Sequence, residues 1–284
     1  MTGWRFYHYG LISTSAPHEQ ADLSILQNWK KLKIDGRRPL YIEYTDRFDC
    51  GRETQWWYCI KDSLFSLDAV KAKRRYEINK GLKNFEVKAF APEEYLSEIN
   101  EIRTALFAQY PAEYRSANNP QNVLKTYQSR QKNWISLGAF REGQLCGYLD
   151  AEIKDGYIDF TRLCVDPQYE KLGINFALVY GLLLACEPYI IKGFYICDGA
   201  RTIRHKTSFQ DWLVKYFDFR NAYCELHMEC RASLRILLIL SSPLKPILSR
   251  THNKKLYNLY CFLKLAEIST RSESCALHTS ETTS

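Results

Sequence analysis

Runs of alternating apolar and polar residues occupy the middle of the chain, between Trp134 and Val165. The turn pairs Glu142-Gly143 and Asp155-Gly156 divide this stretch into three parts. Period-two alternation interrupted by such pairs is typical of β-hairpins. The pattern therefore predicts three consecutive antiparallel strands.

The third of these strands leads into a loop and a helix. After Tyr157–Val165 come the turn Asp166-Pro167, a polar loop that ends at Gly173, and helical spacing of apolar residues over Ile174–Cys186. A strand, a loop and a helix in this order point unpaired backbone N–H groups and the positive end of a helix dipole at one spot. Such a spot suits a phosphate or a pyrophosphate.

A further apolar run follows this helix. Tyr189–Cys197 predicts a buried strand, and the order strand, helix, strand implies a right-handed crossover with a locally parallel pair. Ligands of such sheets bind beyond the carboxyl ends of the strands. We therefore expect the polar segment Asp198–Thr207 at the mouth of a site.

Regular spacing predicts more elements on both sides of this centre. Helices are expected over 67–83, 91–110, 121–131 and 209–219, and strands over 38–45, 54–62, 85–90 and 221–230. Aromatic residues are frequent in the first 66 positions, where they fill a core or line a groove. The elements together predict a mixed α+β or α/β protein. Its mostly antiparallel central sheet is flanked by helices and joined to a smaller, aromatic-rich N-terminal lobe.

The net charge of +7 over 284 residues belongs to one segment. Between Arg231 and Ala266 there are seven basic residues and no acidic one, and this segment is also apolar. It is predicted either to lie on an anionic membrane surface or to pack on the domain with its charges in water. Residues 269–284 have the composition of a disordered tail.

Ten scattered cysteines without a CxxC pair indicate a reducing cytoplasm and no metal or disulfide role. The N-terminus lacks the pattern of a signal peptide, and no segment has the length needed to cross a bilayer. We predict a cytoplasmic protein, peripheral to a membrane if residues 232–268 bind lipid. DNA is not among the expected partners.

The run V-D-P-x-Y-x-x-x-G-I-x-x-A-L at Val165–Leu178 resembles the central motif of the GNAT superfamily of acyl-CoA N-acyltransferases. The resemblance implies acetyl-CoA or another acyl-CoA as donor, with its pyrophosphate held by the glycine loop. The implied donor-binding residues are Val165, Lys171, Leu172, Gly173, Ile174 and Asn175. The loop departs from the family at two places, where Glu170 and Asn175 replace Arg or Gln and Gly or Ala.

The basic helix and the short strand over 67–90 resemble the junction in the Fem peptidoglycan-bridge transferases, which consist of two tandem GNAT-like halves. This looser resemblance implies that the N-terminal lobe is a partial second half. With both resemblances, the chain divides into four predicted segments: 1–85, the lobe with its basic helix; 86–231, a GNAT-like acyltransferase domain; 232–268, basic amphipathic helices; and 269–284, the tail.

N-acyl transfer needs a base that removes a proton from the acceptor amine. His205 titrates near neutrality and is the first candidate, and Asp159 and Asp198 are the carboxylate candidates. Arg201, Arg204 and Thr207 are candidate contacts for an anionic acceptor. Many GNAT enzymes carry a tyrosine acid in the helix that follows, but the matching position here is Val214.

Three hypotheses follow. The first is an N-acyltransferase that modifies an amine acceptor, such as an amino sugar in cell-surface polysaccharide synthesis. The second is an aminoacyl-tRNA-dependent, Fem-like transferase, which binding of charged tRNA would single out. The third is a catalytically inactive GNAT-fold binding module, which loss of coenzyme A binding with an intact fold would indicate. We also expect Gly173→Trp to block donor binding in a folded protein.

Overall fold

The computed structural model describes residues 3–110, 119–130, 132–203, 208–251 and 253–281, with side chains described as far as Arg271. The strands are β1 Trp4–Tyr7, β2 Gly10–Ser13, β3 Tyr41–Asp46, β4 Trp56–Lys61, β5 Glu86–Ala89, β6 Trp134–Arg141, β7 Gln144–Ile153, β8 Tyr157–Val165, β9 Tyr195–Ala200 and β10 Arg220–Cys230. The helices are α1 Ala72–Asn84, α2 Leu96–Ala108, α3 Pro120–Gln128, α4 Ile174–Ile190, α5 Ser208–Phe217, α6 Ala232–Ser241, α7 Lys245–Leu248 and α8 Lys254–Glu281.

The chain forms two compact units built from discontinuous stretches. Unit 1 comprises Met1–Cys59, Ala200–Phe209 and Asn221–Ser284, and unit 2 comprises Ile60–Gly199 and Gln210–Arg220. The division of the chain into four domain-like segments, made from the sequence, stays a prediction. The structure adds that α1, predicted with the N-terminal lobe, packs on α4 inside unit 2.

Unit 2 contains the predicted central sheet, in the order β9-β8-β7-β6-β5. Strands β5 to β8 pair antiparallel in succession, and β9 pairs parallel to β8. Three antiparallel strands, a loop, a helix and a parallel strand follow one another along the chain as expected. The predicted fold class, a mixed and mostly antiparallel sheet flanked by helices, is confirmed.

Helices cover both faces of this sheet. Successive side chains of β7 point to opposite sides and contact the helices on each. A Cβ at Gly147 would meet Ile174 of α4 at 2.9 Å, so this face carries α4. The adjacent Tyr148 is fully buried on the other face, in a cluster with Ile99 and Ile102 of α2 and residues of α3. The centre of α4 lies between sheet and α1, which explains why most of its apolar residues are buried.

Unit 1 contains strands in the order β1-β2-β3-β10-β4. Strands β1 and β2 form a hairpin, β3 pairs parallel to β2, and β10 pairs antiparallel to β3. The aromatic N-terminal residues form a core around Trp4 and Trp29. A second cluster joins Tyr41 and Met228 to apolar residues of α6, α7 and α8.

Two predicted elements differ from the structure. The run Tyr189–Cys197 was expected to be a strand, but α4 continues to Ile190 and β9 begins at Tyr195. Leu182, Cys186 and Ile190 are buried at helical spacing, so the apolar run extends the helix face past Pro188. The predicted tail also differs, since α8 extends to Glu281. Residues 282–284 lie outside the described residues.

Within the part of the chain that the structure describes, no helix combines the length and the apolar character that a membrane span requires.

Candidate functional site

Strands β8 and β9 separate at their carboxyl ends. Their parallel register runs from Tyr157↔Tyr195 to Asp159↔Cys197 and then stops, although β8 continues to Val165. The N–H of Gly199, two residues beyond the last pair, donates to the Cys197 Sγ at 3.3 Å. Beyond Asp159, β8 has no register partner on β9 among the residues that the structure describes, which leaves an opening in the sheet of unit 2.

The last residue of β8 has its N–H directed into this opening. The N–H of Asp166 donates to the Cys146 carbonyl of β7 at 3.0 Å. Because successive N–H groups of a strand point to opposite edges, the Val165 N–H points away from β7. The Val165 N–H can thus donate a hydrogen bond to a thioester carbonyl oxygen that lies in the opening.

The loop after β8 is a short 3-10 helix that a glycine ends. The Asp166 side chain caps it by accepting from the Gln168 N–H at 3.0 Å, and it runs from Pro167 to Leu172. Gly173 follows with φ of +85°, a left-handed conformation that favours glycine. The Gly173 N–H donates to the Glu170 carbonyl at 3.0 Å, so this amide, expected to bind phosphate, is already used.

The first turn of α4 supplies the remaining amides. The Ala177 N–H donates to the Gly173 carbonyl at 3.1 Å, which leaves the N–H groups of Ile174, Asn175 and Phe176 without intrahelical acceptors. No side chain caps this end of α4. An anion is favoured here by the amides and by the helix dipole.

Three of the predicted donor-binding residues hold the loop instead of facing solvent. Val165, Gly173 and Ile174 are buried, whereas Lys171 is exposed and Leu172 and Asn175 are half-buried. Gly173 lies against α1: a Cβ there would meet the Gly81 backbone N at 3.0 Å and Cα at 3.1 Å. A tryptophan at position 173 would therefore disturb the packing of α1 on α4, so Gly173→Trp is not expected to leave the fold intact.

Asp198 follows the last register pair of β9, beside the opening. Burial raises the pKa of Asp198 to about 7; the charge of Asp159 acts in the same direction, and a hydrogen bond from Gln210 acts against it. A carboxylate that titrates near neutrality suits a general base. The structure thus brings Asp198 and Asp159 together, and Asp198 has the chemistry expected of a base.

Asp159 has a different partner. Its Oδ2 accepts from Lys154 Nζ at 2.6 Å. Burial alone would lower the pKa of Lys154, but the hydrogen bond and charge of Asp159 outweigh that effect and raise it. This ion pair already engages Asp159, so Asp198 is the better candidate for the base.

Arg201 lies in unit 1. Its guanidinium stacks on the Trp57 ring at 4.5 Å, and its backbone N–H donates to the Trp57 carbonyl at 2.8 Å. Burial lowers its pKa. The other candidates of this segment, Arg204, His205 and Thr207, lie outside the described residues. No group of His, Cys, Asp and Glu side chains suited to a metal ion occurs in the described ranges.

Several residues of unit 2 were missed in the sequence. Val214 of α5 carries no proton, but the Tyr216 ring, two positions later, lies 5.0 Å from the Phe176 ring at the first turn of α4. The aromatic pattern of α5 signals packing and not a role for this phenol.

A buried polar cluster on β7 also had no signal in the sequence. The fully buried Asp150 accepts from both Arg130 Nη atoms, at 2.9 and 2.8 Å, and from Ser136 Oγ at 2.8 Å.

No protein-family model matches this chain, and no curated protein matches it. The chain is similar to the solved structure of PaiA N-acetyltransferase from Thermoplasma acidophilum in complex with coenzyme A, with 24% identity, 38% of this chain and 73% of that chain covered, and a TM-score of 0.29. A GNAT family acetyltransferase from Brucella melitensis in complex with acetyl-CoA has 18% identity, coverages of 37% and 71%, and a TM-score of 0.30. A conserved protein of unknown function from Staphylococcus epidermidis has 11% identity, coverages of 67% and 81%, and a TM-score of 0.38. With TM-scores this low, none of these likenesses carries an argument about activity.

Proposed function

We propose that this protein transfers an acyl group from acyl-CoA to an amine. The observation that carries the proposal is the opening between β8 and β9, with Asp198 beside it on one strand and the Val165 N–H on the other. The same unit offers the amide groups of the first turn of α4 for the donor pyrophosphate. A held donor, a carbonyl-polarising N–H and a base are the three requirements of the reaction.

In the proposed reaction, Asp198 accepts a proton from the acceptor ammonium. The neutral nitrogen attacks the thioester carbon, and the Val165 N–H stabilises the oxyanion that forms. The new C–N bond replaces the C–S bond: the attached nitrogen releases its second proton to solvent, and the coenzyme A thiolate leaves and takes up a proton. Tyr216 is the phenol that α5 offers for this last step in place of Val214.

For the acceptor we propose an amino sugar, as in cell-surface polysaccharide synthesis. The looser resemblance of residues 67–90 to the Fem transferases supports this choice, and it also supports the aminoacyl-tRNA-dependent alternative. A non-catalytic binding role is favoured by one specific observation. Glu170 replaces a family Arg or Gln, and its carbonyl already accepts the Gly173 N–H.

Donor binding can be tested by adding one negative charge at the first turn of α4. Asn175→Asp complements the helix dipole and should leave stability unchanged or raised by about 0.3–1 kcal/mol. The same charge repels a pyrophosphate, so affinity for coenzyme A should fall at least about ten-fold. Asn119→Asp is a matched control, because Asn119 caps the N-terminus of α3 by accepting from the Gln121 N–H at 3.0 Å.

Calorimetric titration of the wild type and both variants with coenzyme A gives the answer. We expect weak binding only for Asn175→Asp. Equal affinities for all three proteins would rule out the first turn of α4 as the phosphate site.

We also propose that the surface of α6 and α7 binds an anionic membrane. One face of α6, with Leu234, Leu238 and Ser241, packs inward, and the opposite face is apolar as well. Seven large apolar side chains are exposed between α6 and the first turn of α8: Ile236, Leu237, Ile239, Leu240, Leu244, Ile247 and Leu256. Exposed apolar surface of this extent favours a second apolar phase.

The charges of this surface favour lipid over a second protein. Arg235, Arg250, Lys254 and Lys255 are exposed among these apolar residues, and no acidic residue accompanies them between 231 and 266. Apolar side chains flanked by cations suit an anionic bilayer surface. The proposed surface is narrower than the predicted 232–268, because Cys261, Leu263 and Ile268 of α8 are buried in unit 1.

Co-sedimentation with vesicles of phosphatidylcholine and phosphatidylserine tests this surface. The double variant Leu240→Ser/Ile247→Ser alters side chains that are 71% and 70% exposed, and the control Ile191→Ser alters one that is 72% exposed in unit 2. We expect the double variant alone to lose vesicle binding, by roughly ten-fold or more. Equal sedimentation of all three proteins would contradict the proposal. It would also be contradicted if size-exclusion chromatography showed that the double variant turns a dimer into a monomer while its vesicle binding is unchanged.

A further inference from the structure

Unit 1 contains a cavity of about 340 Å³ between its sheet and α8. Its walls are the β1–β2 turn, strands β2 to β4, residues 201–203 and α8. A smaller cavity of about 140 Å³ shares the lining residues Ile12, Glu43 and Trp56 with it. Ligand pockets in proteins begin at this size.

Two polar groups in the shared wall have no protein partner. Trp56 is 6% exposed, and its Nε1–H forms no hydrogen bond with any residue that the structure describes. Glu43 lies on β3, and burial raises its pKa to about 7 with no charged or hydrogen-bonding neighbour to offset it. Buried polar groups in native proteins are nearly always paired, so the unpaired Trp56 N–H, in a cavity wall shared with the half-buried Glu43 carboxylate, indicates a ligand.

Aromatic side chains form part of the remaining lining. Tyr7, Tyr41 and Phe262 line the larger cavity together with Trp56, and the Tyr41 and Phe262 rings contact edge to face at 5.1 Å. Aromatic faces attract cations, and a carboxylate partly withdrawn from water favours a positive partner. The Trp56 N–H requires an oxygen acceptor. An ammonium group and a hydroxyl group on one ligand would satisfy both.

We propose that this cavity binds a hydroxylated organic amine, with the ammonium beside Glu43 and a hydroxyl oxygen on the Trp56 N–H. The proposed function enters this inference at one point: a hydroxylated amine has the chemistry of an acyl acceptor. Arg201 also lines the cavity, so an anionic group on the amine would find a cation there.

The experiment compares D-glucosamine with D-glucose, which has a hydroxyl group in place of the amino group, by saturation-transfer NMR on the full chain without a donor. We expect the wild type to prefer glucosamine about ten-fold or more, and Glu43→Gln to lose this preference. Asp46→Asn is the matched control, since Asp46 is three residues away on β3, on the opposite face, and its loss removes the same charge. It should keep the preference.

Glu43→Gln should fold, because it removes the charge of a half-buried carboxylate without changing the shape of the side chain. If urea unfolding shows otherwise, Trp56→Phe serves instead, and it should weaken glucosamine binding by removing the N–H donor. Absence of glucosamine binding by the wild type at tens of millimolar, or an unchanged preference in Glu43→Gln, would overturn the inference. If coenzyme A still binds in that case, the proposed function stands, because this assay contains no donor.

Discussion

Replacing Asp198 by asparagine should stabilise the protein at alkaline pH and remove its activity. The pKa of Asp198 rises from 3.8 to about 7 on folding, mainly through burial. At 1.36 kcal/mol for each pH unit, this shift corresponds to at most about 4 kcal/mol of destabilisation when the carboxylate is charged. Since Asp198 keeps some contact with solvent, we expect about 2–4 kcal/mol.

The sign of the pH dependence follows from proton binding. Between pH 4 and pH 7 the folded protein holds the Asp198 proton more tightly than the unfolded chain does, so wild-type stability falls as pH rises through this window. Asparagine cannot ionise. The difference in unfolding free energy between Asp198→Asn and wild type should therefore be near zero at the acid end and largest above the folded-state pKa of about 7.

Urea unfolding of both proteins at four pH values between 4 and 8 measures this difference. Glu43, whose pKa also rises to about 7, is present in both proteins and cancels. Asp211→Asn removes an exposed carboxylate from α5 and is the matched control. A difference that does not change with pH, or the same difference in the control, would refute the assignment of Asp198 as a buried titrating group.

Two further predictions concern the framework of unit 2. Arg130→Met removes the bidentate partner of the fully buried Asp150 and leaves it the more distant Arg162, at 3.4 Å. It should cost about 1–3 kcal/mol of stability by urea unfolding, with the exposed Arg141→Met as control; a cost equal to that of the control would contradict this. Gly81→Leu should destabilise unit 2 by roughly 1–3 kcal/mol or more, because a Cβ there lies 2.4 Å from the Gly173 carbonyl oxygen. The same substitution at the exposed Asn79 should have little effect, and equal losses at both positions would refute the close contact of α1 with the loop.

Much of the central sheet could be predicted because its signals are local. Glu142, Gly143 and Gly156 adopt the positive φ that their hairpin turns need, at 53°, 82° and 72°. Alternation and turn chemistry act over a few residues and are legible in the sequence. The boundary between α4 and β9 was missed because a continuous apolar run fits a buried helix as well as a buried strand.

The chemistry of the site was harder to predict because it depends on contacts between distant residues. The approach of Gly81 to Gly173, which occupies one side of the predicted phosphate loop, has no local signal. Asp198 and Asp159 were both candidates in the sequence, and only their surroundings separate a buried base from a partner of Lys154. The Glu43 cavity was missed for the same reason, since the run Tyr41–Thr45 looks like an ordinary strand.

The central claim is that the loop and first turn of α4 hold an acyl-CoA donor. Hydrogen–deuterium exchange of the full chain, measured by mass spectrometry with and without acetyl-CoA, tests both binding and its location. We expect slower exchange on ligand addition in peptides that cover Val165–Phe176, including the open amides of Ile174, Asn175 and Phe176. Unchanged exchange across these peptides at millimolar acetyl-CoA, or protection confined to other parts of the chain, would contradict it.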